Sequence, residues 1–158
     1  MTIPAIRTLE AKGKAIRIAS MTLARAPASA KNSVLDNISR ALINGEEVIL
    51  SANKSDYQDS KKAGLSDSML DRLLITPDRI RSIVDDILRV IALPDPIGMT
   101  FDMHTTPDGL QIGKRSVPLG VIGAIYESRP NVTVDISTLC IKSGNGVFLR
   151  GGKEAFRT

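Results

Sequence analysis

Aromatic side chains are scarce in this sequence: three Phe, two Tyr and no Trp, 3% of the residues. Any core must therefore be filled mainly by Ile, Leu, Val, Ala and Met. Cysteine is scarcer still. A single Cys140 excludes an intramolecular disulfide framework and suits a reducing compartment, the cytoplasm. No run approaches the roughly 18 apolar residues of a membrane span. The N-terminal residues lack the apolar block and cleavage site of a signal peptide; Lys12, Lys14 and Arg17 instead interleave with Glu10 and apolar residues in a helical pattern. The one histidine, His104, has no partners at metal-ligand spacing, so no metal site is expected and the residue reads as an inert surface side chain. Clustered charge is missing too. The 21 basic and 17 acidic residues, net +4, are spread along the whole length, without the basic run and interleaved aromatics of a nucleic-acid-binding face. What remains is an average soluble composition, 42% hydrophobic and 24% charged over 158 residues, enough for one domain with its own core.

Hydrophobic spacing divides the chain near Leu93. Residues 3–24 read as a modestly amphipathic helix. Residues 31–44 place Val34, Leu35, Ile38 and Leu42 on one face, closed by Asn44-Gly45. A third helix begins near Glu46 and runs through Val48, Ile49 and Leu50, followed by a polar stretch that Gly64 ends. Ser66 caps a short helix containing Met69, Leu70, Leu73 and Leu74. Thr76-Pro77 opens the clearest helix. Its Ile80, Ile83, Val84, Ile87, Leu88 and Ile91 recur at i, i+3, i+4, i+7, i+8 and i+11, predicting one buried stripe that Pro94-Asp95-Pro96 ends.

Alternation follows. Met99, Phe101 and Met103 point one way and Thr100, Asp102 and His104 the other. Thr106-Pro107-Asp108-Gly109 has the chemistry of a tight turn, and Leu110–Val117 return as a partner strand. The apolar face of this hairpin is expected to be covered by the chain's own helices or by a partner. Val121–Ile125, Val132–Lys142 and Gly146–Leu149 then form strand, helix and strand, one βαβ unit. Lys142 to Asn145 read as a helix end and chain reversal. The fold class expected is α/β: helices over 1–98, an extended hairpin over 99–117, and the first βαβ unit of a Rossmann-type domain over 118–158. Strands this apolar call for further strands and helices, so the chain reads as truncated.

The segments VIGAIYESRPNVTVD and LRGGKEA, with GLSDSMLDRLLITPDRI and LPDPIG upstream, resemble the γ-glutamyl phosphate reductases, proline-pathway members of the aldehyde dehydrogenase superfamily. The resemblance runs over essentially the whole chain, in register from its N-terminus. It implies an NADP-dependent oxidoreductase reducing L-glutamyl 5-phosphate to L-glutamate 5-semialdehyde with release of phosphate, a homo-oligomer, and glutamate 5-kinase as a possible partner. It also implies a cysteine nucleophile in a later segment, so no catalytic residue is assigned here. A non-catalytic nucleotide-binding or oligomer-scaffold module is the competing reading.

Two loops are candidates for the site. Tyr126 to Asn131 connects a strand's carboxyl end to a helix start, where ligands of α/β sheets sit and anions are favoured. Glu127, Arg129 and Asn131 are assigned to substrate: related dehydrogenases place an oxyanion-stabilising Asn in this loop, Arg129 stands near that position, and a guanidinium fork suits phosphate or carboxylate. The structural alternative is a Glu127–Arg129 ion pair bracing the turn, with Asn131 as helix N-cap. Arg150, Gly151, Gly152 and Lys153 are assigned to the cofactor. In relatives a Lys here contacts the adenosine ribose, the glycines permit close approach, and two cations suit a 2′-phosphate. The alternative is a glycine turn entering a surface helix. Cys140 falls with Val132, Ile136 and Leu139 at i, i+4, i+7 and i+8, which predicts a core thiol rather than a nucleophile.

Overall fold

The computed structural model describes residues 9–158; the first part of the helix expected over 3–24, residues 3–8, lies outside the described residues. The remainder is α1 (Leu9–Leu23). α2 (Ala28–Asn44) starts three residues earlier than its apolar face indicated, straight after Pro27 in extended geometry, where proline's missing N–H costs nothing. Gly45 joins α2 to α3 (Glu46–Lys62); a Cβ there would lie 3.0 Å from the Ala41 carbonyl oxygen. α3 continues through the polar stretch to Lys62, with Glu46 and Glu47 in its first turn and Lys61 and Lys62 in its last, charges placed favourably on the helix dipole. The Ser66 hydroxyl caps α4 (Asp67–Leu73), accepting from the Met69 amide. Thr76 caps α5 (Pro77–Ala92), accepting from the Arg79 amide at 3.2 Å.

Leu35, Ile83 and Ile87 form the innermost cluster, with Ile38, Leu42, Val90, Ile91, Val134 and Ile141 around it. The α5 stripe is buried at Ile80, Ile83, Val84 and Ile87. Leu88 departs from expectation at 46% exposed: at about 100° per residue it sits about 80° from Ile80, beyond the stripe's edge. Two lysines are buried. Lys31 pairs with Asp95 at 2.7 Å, and Asp95 also accepts from the Ile97 amide at 3.0 Å. Burial pushes the Asp95 carboxyl up, but Lys31, that amide and nearby Lys142 bring it below its ordinary value. Lys142 donates to Asn32 Oδ1 at 2.8 Å and to the Ile91 carbonyl at 2.9 Å. The Pro94-Asp95-Pro96 exit is thereby pinned to α2.

β1 (Thr100–Thr105) and β2 (Gln111–Arg115) pair antiparallel. Gly109, at φ +88°, donates its N–H to the Thr106 carbonyl at 2.9 Å. Phe101 faces Lys114 and His104 faces Ile112, so an extra residue is accommodated between them, and Asp102 adopts φ +54°. This bulge corrects the simple alternation. Lys114 and Ile112, two apart, share a face, so Phe101 and His104 share it too, whereas Met103 turns its sulfur over Gly113 on the other face. Every residue of both strands is exposed, Phe101 at 47%; within the described residues the chain's own helices do not cover this ribbon.

β3 (Val121–Ile125) and β4 (Gly146–Arg150) pair in parallel, Val121 with Gly146 through Ile125 with Arg150, joined by α6 (Asn131–Lys142). Gly144 at φ +71° makes the reversal, and Asn145 Oδ1 accepts the Gly120 amide at 2.8 Å. α6 is packed by α2 and α5 on one side and by β4 on another. No single stripe therefore defines its buried surface: Cys140 is enclosed as expected, but Leu139 is 55% exposed while Val134 and Ile141 join the core.

Candidate functional site

The β3–α6 loop is shaped by its backbone. The Tyr126 amide donates to the Arg150 carbonyl at 3.1 Å, the Arg129 amide to Glu127 at 2.7 Å, and the Val132 and Thr133 amides to Arg129 and Pro130 at 3.1 Å each. Pro130 is already helical (φ −57°, ψ −35°), so α6 begins at Asn131 without a side-chain cap. The Asn131 side-chain Nδ2 instead donates to Asp135 Oδ2 at 3.0 Å. Burial raises the Asp135 carboxyl above its ordinary value, the Asn131 bond opposes this, and Asp86 across the groove adds to it. Neither feature of the bracing alternative is present: Glu127 and Arg129 form no ion pair among the described residues, and Asn131 is not the cap.

Two grooves flank this loop. One, of about 360 Å³, is lined by Arg72, Tyr126, Glu127, Ser128 and Arg129 among others. The second, of about 320 Å³, runs along α5 and includes Arg72, Arg79, Asp86, Arg129, Asn131 and Asp135. Glu127, Arg129 and Asn131 are thus divided, with Arg129 alone reaching both. Arg72 also lines both. It lies on α4, far from the loop in the chain, so no local pattern joins it to the site; its one signal in the sequence is a place inside the resembling segment around Leu70. Arg79 is already committed, to the Asp71 carboxylate at 2.8 Å and the Leu74 carbonyl at 2.7 Å.

The second assigned loop leaves β4 beside the first. A Cβ on Gly151 would lie 3.3 Å from the Tyr126 ring, and one on Gly152 would crowd Glu154 and approach the Glu127 backbone at 3.6 Å. The two glycines therefore let the loops lie side by side. The two cations do not converge. Arg150 lines a groove of about 680 Å³ with Lys12 and Ile16 of α1; Lys153, in the short 3-10 turn Lys153–Ala155, lines one of about 670 Å³ with Asp56 and Asp59. Cys140 is buried, and burial pushes its thiol further above neutrality, the opposite of an activated nucleophile. His104 is exposed on the hairpin, its Nδ1 3.3 Å from the Asp102 carbonyl. Among the described residues no cluster of His, Cys, Asp and Glu is arranged for a metal ion, and no helix is long and apolar enough to cross a membrane.

No protein-family model matches the chain. Individual relatives do. It is 51% identical over 154 residues to a γ-glutamyl phosphate reductase of Dehalococcoides mccartyi, covering 98% of this chain and 36% of that protein. It is 51% identical over 150 residues to that of Salmonella arizonae, covering 95% and 36%. The crystal structure of the Thermotoga maritima γ-glutamyl phosphate reductase superposes with a TM-score of 0.91 at 40% identity, over 94% of this chain and 36% of that one. The Saccharomyces cerevisiae structure gives 0.90 at 35%, over 95% and 38%. The chain spans about a third of the length of the curated relatives it matches. Along nearly its whole length the chain is thus homologous to the γ-glutamyl phosphate reductases, sharing half its residues with the two curated ones and the backbone path of the two solved ones.

Proposed function

We propose that this chain serves the reduction of L-glutamyl 5-phosphate to L-glutamate 5-semialdehyde, with NADPH as hydride donor and phosphate as the second product. The observation that carries the reading is the 51% identity over 98% of the chain to a protein named for this reduction. The adjacency of the two strand-end loops supports it, because both lie where ligands of parallel sheets bind. Arg129 is the donor for the phosphate or carboxylate, and the Glu127 carboxylate suits the substrate's ammonium. Asn131 has its side-chain Nδ2 engaged by Asp135, and its Oδ1 has no hydrogen-bond partner among the described residues.

Cofactor chemistry fits part of the assigned set. Arg150 with Lys12 beside an apolar groove suits a 2′-phosphate, and Gly151 and Gly152 allow close approach. Lys153, among Asp56, Asp59 and Glu154, suits an anion less well. When bound, NADPH supplies the hydride; the chain's own residues bind and orient. Cys140, buried and with its thiol pushed up by that burial, is not the nucleophile in this reading. The ribbon's two exposed faces favour its use as a subunit contact in a homo-oligomer. A cytoplasmic location and association with glutamate 5-kinase, which makes the acyl phosphate, complete the reading.

The test is NADPH oxidation with the acyl phosphate, or the reverse reaction with semialdehyde and phosphate, by the product of the full reading frame. Turnover that depends on Arg129 is expected; no turnover refutes the assignment. Arg150→Ala should weaken NADPH by about 10–100-fold, the worth of roughly 1.5–3 kcal/mol for a charge-assisted bond, and NADH much less. Equal losses would remove Arg150 from 2′-phosphate recognition.

A further inference from the structure

The geometry points to a two-arginine site for a phosphoryl dianion at the N-terminal end of α6, in which Arg72 is the second cation beside Arg129 and Ser128 supplies a hydroxyl. This rests on the reading of the Tyr126–Asn131 loop as the substrate site. Arg72 and Arg129 are the two residues common to both grooves flanking the loop, so their side chains form the wall between them. Neither guanidinium has an ion pair or hydrogen bond among the described residues, whereas Arg79, Arg81, Arg89 and Arg157 are each tied to an aspartate. The other charged groups lining the two grooves are Glu127 in one and Asp71, Arg79, Asp86 and Asp135 in the other, with Arg79 held by Asp71. An anion between Arg72 and Arg129 would give both guanidiniums the partner they lack.

Ser128 is the independent observation. It is 4% exposed and lines the groove, yet its hydroxyl makes no hydrogen bond among the described residues. The hydroxyl opens on the groove rather than into the protein interior, so it is free to bond a ligand held there. The twelve-residue α6 adds the positive end of its dipole. Two cations and a hydroxyl match a phosphoryl group, which carries about −1.5 to −2 at neutral pH, better than a single carboxylate. Glu127 lines the same groove and opposes the anion, so its removal has a predictable sign.

Titration of the 15N-labelled chain with inorganic phosphate, followed at the amides of residues 128–133, tests this. Saturable shifts are expected. Arg72→Ala should weaken phosphate about 10-fold or more and Arg72→Lys less, because a point charge replaces a fork. Ser128→Ala should weaken it by a smaller factor, Glu127→Gln should tighten it, and Arg40→Ala, at an exposed arginine on α2 outside both grooves, should leave it unchanged. The rest of the amide spectrum reports that each variant folds. Binding lost in Arg129→Ala but intact in Arg72→Ala would remove Arg72 and leave the substrate-loop reading standing. No saturable shift at the loop in the wild type would remove both. Adenosine 2′-phosphate binding the loop more tightly than inorganic phosphate would make this a cofactor site and overturn the assignment to substrate.

Discussion

α5 and α3 are nearly equal in length, 16 and 17 residues, and each buries a face, but the faces are opposite in kind. α5 buries Ile80, Ile83, Val84 and Ile87 against α2 and α6. α3 buries Asn53, Asp56 and Ser60 and leaves Val48 exposed. The difference lies in what each helix packs against. α5 meets other helices, whose backbone bonds are internally satisfied, so only apolar surface needs covering. α3 meets irregular backbone that has no ladder of its own. Asn53 donates to the Leu73 carbonyl at 2.9 Å and accepts from the Ile75 amide at 2.7 Å. Asp56 accepts from the Arg157 and Thr158 amides at 3.0 and 2.9 Å, and from the Thr158 hydroxyl and Arg157 guanidinium. A buried polar ridge is the price of ordering such segments away from water.

Substitution separates the two kinds of burial. The largest effect is expected at Ile87→Ala, about 2–5 kcal/mol of lost stability by urea unfolding, from lost transfer energy and a cavity among three helices. A loss under about 1 kcal/mol would mean the cluster collapses to fill the space. Asn53→Ala follows at about 2–3 kcal/mol, since it strands a carbonyl and an amide, each at the lower end of roughly 1–3 kcal/mol because water can enter the space the side chain leaves. Asn53→Leu, which restores volume but not bonds, should not recover it; a neutral Leu variant would show that α3 is an ordinary apolar face.

Asp56→Asn should cost about 1 kcal/mol at neutral pH, by loss of charge assistance. Here the sign can be worked out. Burial pushes the Asp56 carboxyl up, but the bonds from Thr158 and Arg157 together hold it below its ordinary value. Its stabilisation is therefore present above the unfolded carboxylate range, about pH 4, and is lost as pH falls through the lower folded value. The melting-temperature gap between wild type and variant should close in acid; a constant gap would mean that the charge plays no part.

The smallest effect belongs to the ribbon. Phe101→Ala, at an exposed position with only Lys114 over its ring at 5.9 Å, should change the monomer's stability by less than about 0.5 kcal/mol. A larger loss would mean that this face is covered in solution. Light scattering of wild type against Phe101→Asp would then read whether the cover is a second copy.

Legibility followed the same divide. The Thr76-Pro77 start, the α5 stripe, the Thr106–Gly109 turn, the strand–helix–strand order and the enclosure of Cys140 were all readable, because caps, turns and apolar periods act within a few residues. The exposed Leu88 and Leu139 were not, since the edge of a buried stripe depends on where a neighbouring helix ends its contact. The hairpin's facing was misread because the bulge at Asp102, a non-glycine residue at positive φ, has no strong local signature. At the candidate site, the Tyr126–Asn131 loop was found from its position between strand and helix. The internal bonding of Asn131, the parting of Arg150 from Lys153 and the arrival of Arg72 required coordinates.

By itself the sequence determined which segments become helix, strand and turn, and, through half of its residues matched in them, its homology to the curated γ-glutamyl phosphate reductases. Both are properties of local spacing or direct residue identity. The tertiary structure alone decided which polar groups are buried and what they hold: Lys31 on Asp95, Lys142 on the end of α5, Asn53 and Asp56 on irregular backbone, and Arg72 beside Arg129. Those pairings join residues distant along the chain, and a hydrogen bond or charge pair is set by distances of about 3 Å that no local pattern encodes.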